Sequence, residues 1–456
     1  MKSLILKKLE EYQISPESLT IQRLALCLII AYDFIERLSL FNWFYSDLRI
    51  VSLDLIKIEF SAWYYWSLFY LNATALWSVI LFGIGFLGIS ITLFTNYKKL
   101  GLLIAWVILH SLQLKDWSVL TGGDMLLNIL VLFHIFHPEP AQSKKIIHFY
   151  QLVLLLQIAY IYFCLNLHRS TEIWFIEASA LWYTFVSSIS SSLLAERLLN
   201  YPQILEWCTR FVYLTEVIAP FFAFFFYAKE KPRMYCVLIM ILFHLGIAIF
   251  MNLGIFPYVC MSAWLLYLPG SFWKLIKLKF DKKKEDLRWP AHKYTSLFFA
   301  VLILLNLLTA LPFPGDNEIL KFQTRIKNGF YLTELTSLLG IYQSWLLYSP
   351  TPQTLDSWAS VKTKENQSLF AHNLKSSSEI REHFKNLRLW NFFENYLVAH
   401  ANNEKIINYS LEFFCKRSNL ATGTEIQIYY QHYTHTYLKE KKYHEEILRK
   451  KICGVK

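Results

Sequence analysis

Residues 74–95, TALWSVILFGIGFLGISITLFT, decide the fold class of this chain. The stretch contains no charged side chain, and an α-helix rises about 1.5 Å per residue. A helix of this length therefore crosses the hydrocarbon core of a bilayer, which is about 30 Å thick. Further apolar runs follow along the chain, so the sequence predicts an integral membrane protein built from helices.

The composition points to the same class of protein. Hydrophobic residues make up 55% of the 456 positions, and charged residues make up only 17%. In soluble domains roughly a quarter of all residues are charged. The mean hydropathy is +0.32. The formal charge of +11 comes from lysines and arginines in short loops and in the C-terminal region. This placement favours contact with the lipid bilayer and argues against a nucleic-acid partner.

The apolar runs predict an all-α polytopic membrane bundle of about nine spans, followed by a small α+β C-terminal region. Gly254 and Pro257 separate the seventh span from the eighth as a tight hairpin. Segment 174–195 is apolar but short and rich in serine, which favours a re-entrant or interfacial hairpin over a tenth span. The predicted spans are residues 21–44, 74–95, 100–114, 121–137, 149–168, 206–228, 234–253, 255–273 and 295–313.

Lysine and arginine residues in the short loops predict the orientation, because these residues accumulate on the cytoplasmic side. With the N-terminus in the cytoplasm, the loops at 98–99, 144–145, 229–233 and 274–288 lie on that side as well. An odd number of spans then places the C-terminus outside the cytoplasm. The predicted divisions are a cytoplasmic N-terminal segment (1–20), a transmembrane domain (21–313), an interfacial helix with a linker (314–350) and an extracytoplasmic C-terminal domain (351–456).

The region after the last span has its own pattern. Segment 331–348 is predicted to be an interfacial amphipathic helix with Trp345 and Tyr348 at headgroup level. A short hairpin at 357–370, helices near 378–400 and 403–418, and a strand at 424–437 follow. The closing segment 439–451 is predicted to be a solvated charged helix or disordered.

The seven cysteines show no CxxC motif and no Cys/His spacing typical of zinc sites, so the sequence predicts neither a disulfide framework nor a bound metal. A bridge between Cys415 and Cys453 is left open.

Ionisable residues inside predicted spans are candidates for function, because burying them in lipid is costly. Asp33 and Arg37 are spaced to pair on one helix face. Asp116 and Asp124 flank a TGGD turn, where Asp124 also suits a helix N-terminus. The remaining candidates are His168 and Arg169 at the end of the fifth span, Glu216 in the sixth and His244 in the seventh.

The depths of His244, Glu216 and Arg169 predict one polar cavity that opens toward the extracytoplasmic side. Each side chain would be costly against lipid, which drives all three inward. In the simpler alternative, Glu216 and Arg169 only neutralise each other and His244 bonds a backbone carbonyl.

The run HLGIAIFMNLGIFPYV, from His244 to Val259, resembles the signature of vitamin K-dependent γ-carboxylases and of bacterial proteins with the horizontally transferred transmembrane (HTTM) domain. Asn252 and Tyr258 in this run are further candidate site residues. Shorter pieces around 111–138, 157–174, 214–224 and 339–352 follow the family in order, so the resemblance covers about residues 20 to 435. It implies a bacterial inner-membrane protein, with a reduced quinone as a cofactor to test.

The family's carboxylation chemistry does not transfer with the fold. In these enzymes a lysine at the end of the fifth helix deprotonates reduced vitamin K, and a glutamate is carboxylated after reaction with oxygen. The matching position here is Arg169, preceded by His168, and an arginine stays protonated in proteins. The family's histidine at the third-to-fourth helix turn is replaced by residues 115–117, Lys-Asp-Trp. Only His244 matches a catalytic-type residue.

The sequence therefore leaves two hypotheses. In the first, the protein lacks glutamate carboxylase activity and acts on a peptide or a lipophilic quinone-like molecule in an intramembrane cavity. In the second, it is a non-enzymatic membrane factor for the export, maturation or immunity of a secreted peptide.

Overall fold

The computed structural model describes most of the chain. The described residues are 10–59, 66–138, 144–276, 293–310, 318–329, 331–343, 345, 348–352, 354–371, 374, 376–398, 400, 402–439 and 442–454. The basic loop predicted at 274–288 lies almost wholly outside these residues, as do the first nine residues.

Most of the described chain is helical. The helices are α1 (Pro16–Ser39), α2 (Phe41–Phe44), α3 (Leu53–Glu59), α4 (Ala75–Phe94), α5 (Lys98–Lys115), α6 (Gly122–Ile135), α7 (Lys144–His168), α8 (Ala180–Val186), α9 (Leu193–Leu198), α10 (Pro202–Phe225), α11 (Glu230–Phe250), α12 (Phe256–Trp264), α13 (Gly270–Leu275), α14 (Lys293–Ala310), α15 (Glu318–Gly329), α16 (Leu332–Leu338), α17 (Ser377–His383), α18 (Leu387–Asn391) and α19 (Glu404–Arg417). Short 3-10 or π-helical turns lie at Leu68–Tyr70, Trp117–Val119, Glu172–Ile176, Leu265–Tyr267 and Phe392–Val398.

Five of these helices, α1, α4, α7, α10 and α11, are long and apolar enough to cross a membrane. Each of the nine predicted spans overlaps a helix, but α6, α12 and α14 are shorter apolar helices, and α5 belongs to neither group. Segment 174–195 forms only a π-helical turn and two short helices. The first helix begins at Pro16, earlier than predicted, because Ser15 caps it by accepting a hydrogen bond from the Ser18 backbone N–H at 3.1 Å.

The helices assemble so that the predicted loops fall at two opposite ends of the bundle. At one end, the Tyr227 hydroxyl donates to the Gln13 carbonyl at 3.1 Å, and Lys99 donates to the His137 carbonyl at 2.9 Å. At the other end, the backbone N–H of Ser188 donates to Asp356 of the C-terminal domain at 2.8 Å. The first end groups the segments predicted to be cytoplasmic, and the second groups those predicted to lie outside.

The C-terminal domain contains a four-stranded antiparallel sheet. Its strands are β1 (Leu355–Thr363), β2 (Ser368–Phe370), β3 (Glu425–Thr434) and β4 (Lys442–Ile452), in the order β2-β1-β3-β4. Strands β1 and β2 form the predicted hairpin. The prediction for the closing segment 439–451 was wrong, because β4 pairs with β3 along its length. A disulfide joins Cys415 of α19 to Cys453 beside the end of β4.

The predicted interfacial helix at 331–348 was also wrong. Helix α16 ends at Leu338, and residues 339–343 follow without regular secondary structure, with Ile341 and Gln343 buried. Trp345 is 3% exposed instead of lying at headgroup level. Gln343 exchanges hydrogen bonds with Gln157 of α7 at 2.7 and 2.9 Å. The two glutamine amides thus satisfy each other inside the bundle.

Candidate functional site: a cavity beneath the C-terminal domain

A cavity of about 740 Å³ lies at the end of the bundle that faces the C-terminal domain. Its walls come from α7, α10 and α11, and α18 of the C-terminal domain covers it. Most of the lining is apolar, and the volume falls within the range of small-molecule sites. The polar or titratable side chains in the lining include Tyr162, Arg169, Trp174, Glu216, His244 and Tyr348.

An ion pair forms the charged part of the lining. Arg169, directly after the end of α7, donates from Nη1 to Oε2 of Glu216 in α10. The guanidinium also stacks on Trp174, with its central carbon 3.7 Å from the ring centroid. The side chains of Arg169 and Glu216 are 4% and 6% exposed. Because a buried charge is costly without its counter-charge, each residue fixes the other.

His244 belongs to a hydrogen-bond chain that joins three helical segments. Trp264 Nε1 donates to the Tyr162 hydroxyl at 2.8 Å, and that hydroxyl lies 2.6 Å from His244 Nε2. In one imidazole tautomer the Tyr162 hydroxyl donates to Nε2 and the imidazole proton is on Nδ1, and in the other Nε2 donates to the hydroxyl. His244 Nδ1 is buried and has no hydrogen-bond partner among the described residues.

The Tyr348 phenol adds a neutral polar group to the lining near the C-terminal domain. Burial raises its pKa to about 12, although a hydrogen bond with Ser190 lowers it. The hydroxyl is therefore protonated near neutral pH and can donate a hydrogen bond.

The structure brings three of the predicted residues, Arg169, Glu216 and His244, to one cavity. His168, by contrast, lies outside the lining, and its Nδ1 is 3.1 Å from the Cys164 carbonyl of its own helix. Asn252 bonds the Ser190 carbonyl through its backbone N–H at 2.9 Å. Tyr258 is 42% exposed beside Tyr32, with ring centroids 6.1 Å apart. None of these last three lines the cavity.

Asp116 and Asp124 belong instead to a buried ion cluster between the bundle and the C-terminal domain. Arg37 donates to Asp33 at 2.8 Å and to Asp124 at 2.9 Å. The predicted Asp33–Arg37 pair is therefore part of a larger ion cluster. Arg388 of α18 donates to Asp33 and, at 2.9 and 3.1 Å, to Asp124. Asp116 accepts from Lys115 at 2.7 Å and also from Tyr45.

Arg388 holds its charge in this cluster. Burial and the neighbouring Arg37 each lower the pKa of Arg388, but Asp124, Asp33 and Glu36 outweigh them and raise it. Asp124 also completes a capping box with Thr121 at the start of α6, which confirms its expected place at a helix N-terminus.

Sequence reasoning missed Tyr162, Trp174, Trp264 and Arg388. The three aromatic residues carry no charge, so nothing in an apolar run separates them from ordinary packing residues. Arg388 was missed because it is distant in sequence from the spans and lies in a polar segment, where an arginine is usually solvated. Its buried carboxylate partners inside apolar helices were the available signal, since a surplus of buried carboxylates requires a cation.

No group of three or more histidine, cysteine, aspartate or glutamate residues is close enough to hold a metal ion within the described part of the chain. Comparison with protein-family models, with curated proteins and with solved structures gave no match. The resemblance to the γ-carboxylase family therefore rests on the residues quoted from the sequence.

Proposed function

We propose that this protein binds a lipophilic, quinone-like molecule in the cavity and does not carboxylate glutamate. The observation that carries the proposal is the lining itself, an apolar chamber of about 740 Å³ with one ion pair and one Tyr–His hydrogen-bond chain. A large apolar volume suits a ring with an attached chain, and a few fixed polar groups orient it.

We expect no carboxylation because of the residue at position 169. By the resemblance, this residue stands where the family has its catalytic lysine, and a guanidinium cannot act as a base. His168 does not replace it, because it lies outside the lining.

The arrangement across the membrane is part of the proposal. The nine helices at the predicted spans cross the bilayer of the cell membrane, the N-terminus is cytoplasmic and the C-terminal domain is extracytoplasmic. The Cys415–Cys453 disulfide supports this side for the C-terminal domain, because disulfides persist in oxidising compartments. The separation of the predicted loops into two ends of the bundle supports the same alternation.

A binding assay on purified protein tests the function. Protein in lipid nanodiscs is titrated with a short-chain quinone, and binding is followed by absorbance. We expect saturable binding that Glu216→Gln and His244→Ala each weaken about tenfold or more, since each removes a fixed polar contact or its support. Unchanged binding in variants that insert and fold normally would contradict the proposed site.

Incorporation of labelled bicarbonate into glutamate-containing peptides is measured in the same preparation. We expect only background, with and without reduced quinone. Incorporation that depends on the quinol would show that the protein is a carboxylase. If no quinone binds and a small secreted peptide co-purifies instead, the second hypothesis, a non-enzymatic factor for such a peptide, replaces this proposal.

A further inference from the structure

The cavity reaches the outer surface of the bundle between α10 and α11. Phe211 of α10 and Leu242 of α11 both line it, yet they are 63% and 65% exposed. Phe211 lies nine residues after the start of α10, and Leu242 lies eight residues before the end of α11. At about 1.5 Å per residue, both are roughly 12–14 Å below the end that carries the C-terminal domain.

The surface around this gap is apolar. Leu214, Leu238, Leu245 and Ile249 are all exposed on the same two helices. Gly246 lines the cavity, and a Cβ added there would meet no atom within 4 Å. A gap at this depth with an apolar rim faces lipid chains when the helices cross a bilayer.

The end of the cavity that faces the C-terminal domain is covered. Leu387, Trp390 and Asn391 of α18 line the cavity and are 7%, 9% and 6% exposed. The neighbouring Arg388 is held in the buried ion cluster. The cavity is thus more accessible from lipid than from water at this end.

The Arg169–Glu216 pair determines which kind of lipid head group the cavity can bind. Arg169 uses Nη1 for Glu216, while its buried Nε has no hydrogen-bond partner among the described residues. The pair is neutral as a whole; Nε of Arg169 is a donor without a partner, and the Glu216 carboxylate has more acceptor sites than the one that Arg169 uses. An anion would meet the charge of Glu216 and a cation that of Arg169, whereas an uncharged head with hydroxyl and carbonyl oxygens satisfies both.

We infer that the cavity is loaded from the bilayer through the gap between α10 and α11, and that its occupant is an uncharged membrane lipid with hydroxyl and carbonyl oxygens. The head contacts the Arg169–Glu216 pair, and the chain lies in the gap beside Phe211 and Leu242. This inference rests on the proposed function and deepens it, because it excludes a water-soluble peptide as the occupant.

The test follows uptake of glycerol monooleate from donor vesicles into protein held in nanodiscs, read by native mass spectrometry. Gly246→Trp fills the gap and should slow uptake at least fivefold. Leu242→Ala widens it and should speed uptake at least twofold, with the same final occupancy. Two matched controls should behave as wild type: Gly83→Trp, at an exposed glycine of α4 with equal room, and Leu245→Ala, beside the gap but outside the lining.

Chain-matched oleate and oleylamine test the head group. We expect each charged probe to reach at most a fifth of the monooleate occupancy. Equal occupancy by either would overturn the uncharged-head assignment, and wild-type uptake rates in Gly246→Trp and Leu242→Ala would overturn the route. Either result leaves quinone binding intact, whereas a protein that takes up neither monooleate nor quinone would also remove the proposed function.

Discussion

Arg388 joins the C-terminal domain to the bundle through two carboxylates from different helices, Asp33 and Asp124. Its side chain is 3% exposed, and both carboxylates are fully buried. Replacing Arg388 by Met should lower the free energy of unfolding by roughly 3–5 kcal/mol, because a buried carboxylate would lose its counter-charge. Thermal or denaturant unfolding in detergent measures this loss.

The matched control for that variant is Lys385→Met in the same segment. Lys385 is 77% exposed in its pair with Glu382, so its removal should change the free energy of unfolding by less than about 1 kcal/mol. Combining Arg388→Met with Asp33→Asn should recover part of the loss, since one unpaired charge disappears. Equal losses in the Arg388 and Lys385 variants would show that the cluster does not hold the domain.

Glu394, in the π-helical turn after α18, makes the stability of the C-terminal domain depend on pH. Burial raises its pKa to about 7; a hydrogen bond from Ser357 lowers it and Asp356 raises it. The folded state therefore keeps a proton that the unfolded chain releases above about pH 4.5. Stability should fall as the pH rises from about 4.5 to 7, by up to about 3 kcal/mol.

The variant Glu394→Gln removes this dependence, because an amide does not titrate. We expect wild type and variant to differ in the slope of unfolding free energy against pH between 4.5 and 7. Glu382→Gln, at a side chain that is 79% exposed, should keep the wild-type slope. Parallel curves for wild type and Glu394→Gln would refute the assignment.

At the scale of helices, α4 and α5 pack closely through two glycines. A Cβ on Gly88 would come within 2.7 Å of the Ala105 backbone nitrogen, and one on Gly101 within 2.6 Å of the Gly88 carbonyl. Small residues allow such contact between membrane helices, where packing stabilises association. Gly88→Leu should therefore lower the melting temperature markedly, while Gly83→Leu on the same helix should not. Similar melting of both variants would argue against this contact.

The helices were predictable because a long apolar run has few alternatives to a helix in a membrane. The two wrong elements lacked that constraint. Strand β4 carries charges at most positions and is exposed, so its pairing with β3 comes from the neighbouring strand and not from its own pattern. Segment 331–348 has helical composition, but its helix ends at Leu338, and the buried hydrogen bonds of Gln343 with Gln157 depend on tertiary structure.

At the scale of the whole molecule, the proximity of Arg169, Glu216 and His244 was predictable from depth alone. Charged groups at similar depths must turn inward, and in a bundle they meet there. Their uncharged aromatic partners were not predictable from depth. The same holds for the position of α18 over the cavity and of Arg388 in the ion cluster, because nothing in a single sequence shows which distant segment covers a bundle.

Thiol labelling in intact cells tests the topology. A cysteine introduced at Thr354, an exposed position in the C-terminal domain, should react with an impermeant maleimide when Cys208 is replaced by Ser. A cysteine at Ser271, exposed at the opposite end of the bundle, should react only after the cells are permeabilised. The reverse pattern would invert the orientation; Lys283, a second position in the basic loop, lies outside the described residues.

The ion cluster is completed late in biosynthesis, because its carboxylates are made long before Arg388. Asp33 and Asp124 enter the membrane with early helices, and Arg37 balances only one of them. Arg388 is 264 residues further along the chain than Asp124, which corresponds to about 13–50 s of ribosomal elongation. During that interval the nascent bundle carries an uncompensated carboxylate, so a quality-control protease would meet it in a vulnerable state. Docking of the C-terminal domain onto the bundle ends that state, and a premature stop before codon 388 should yield a protein that is inserted and then degraded.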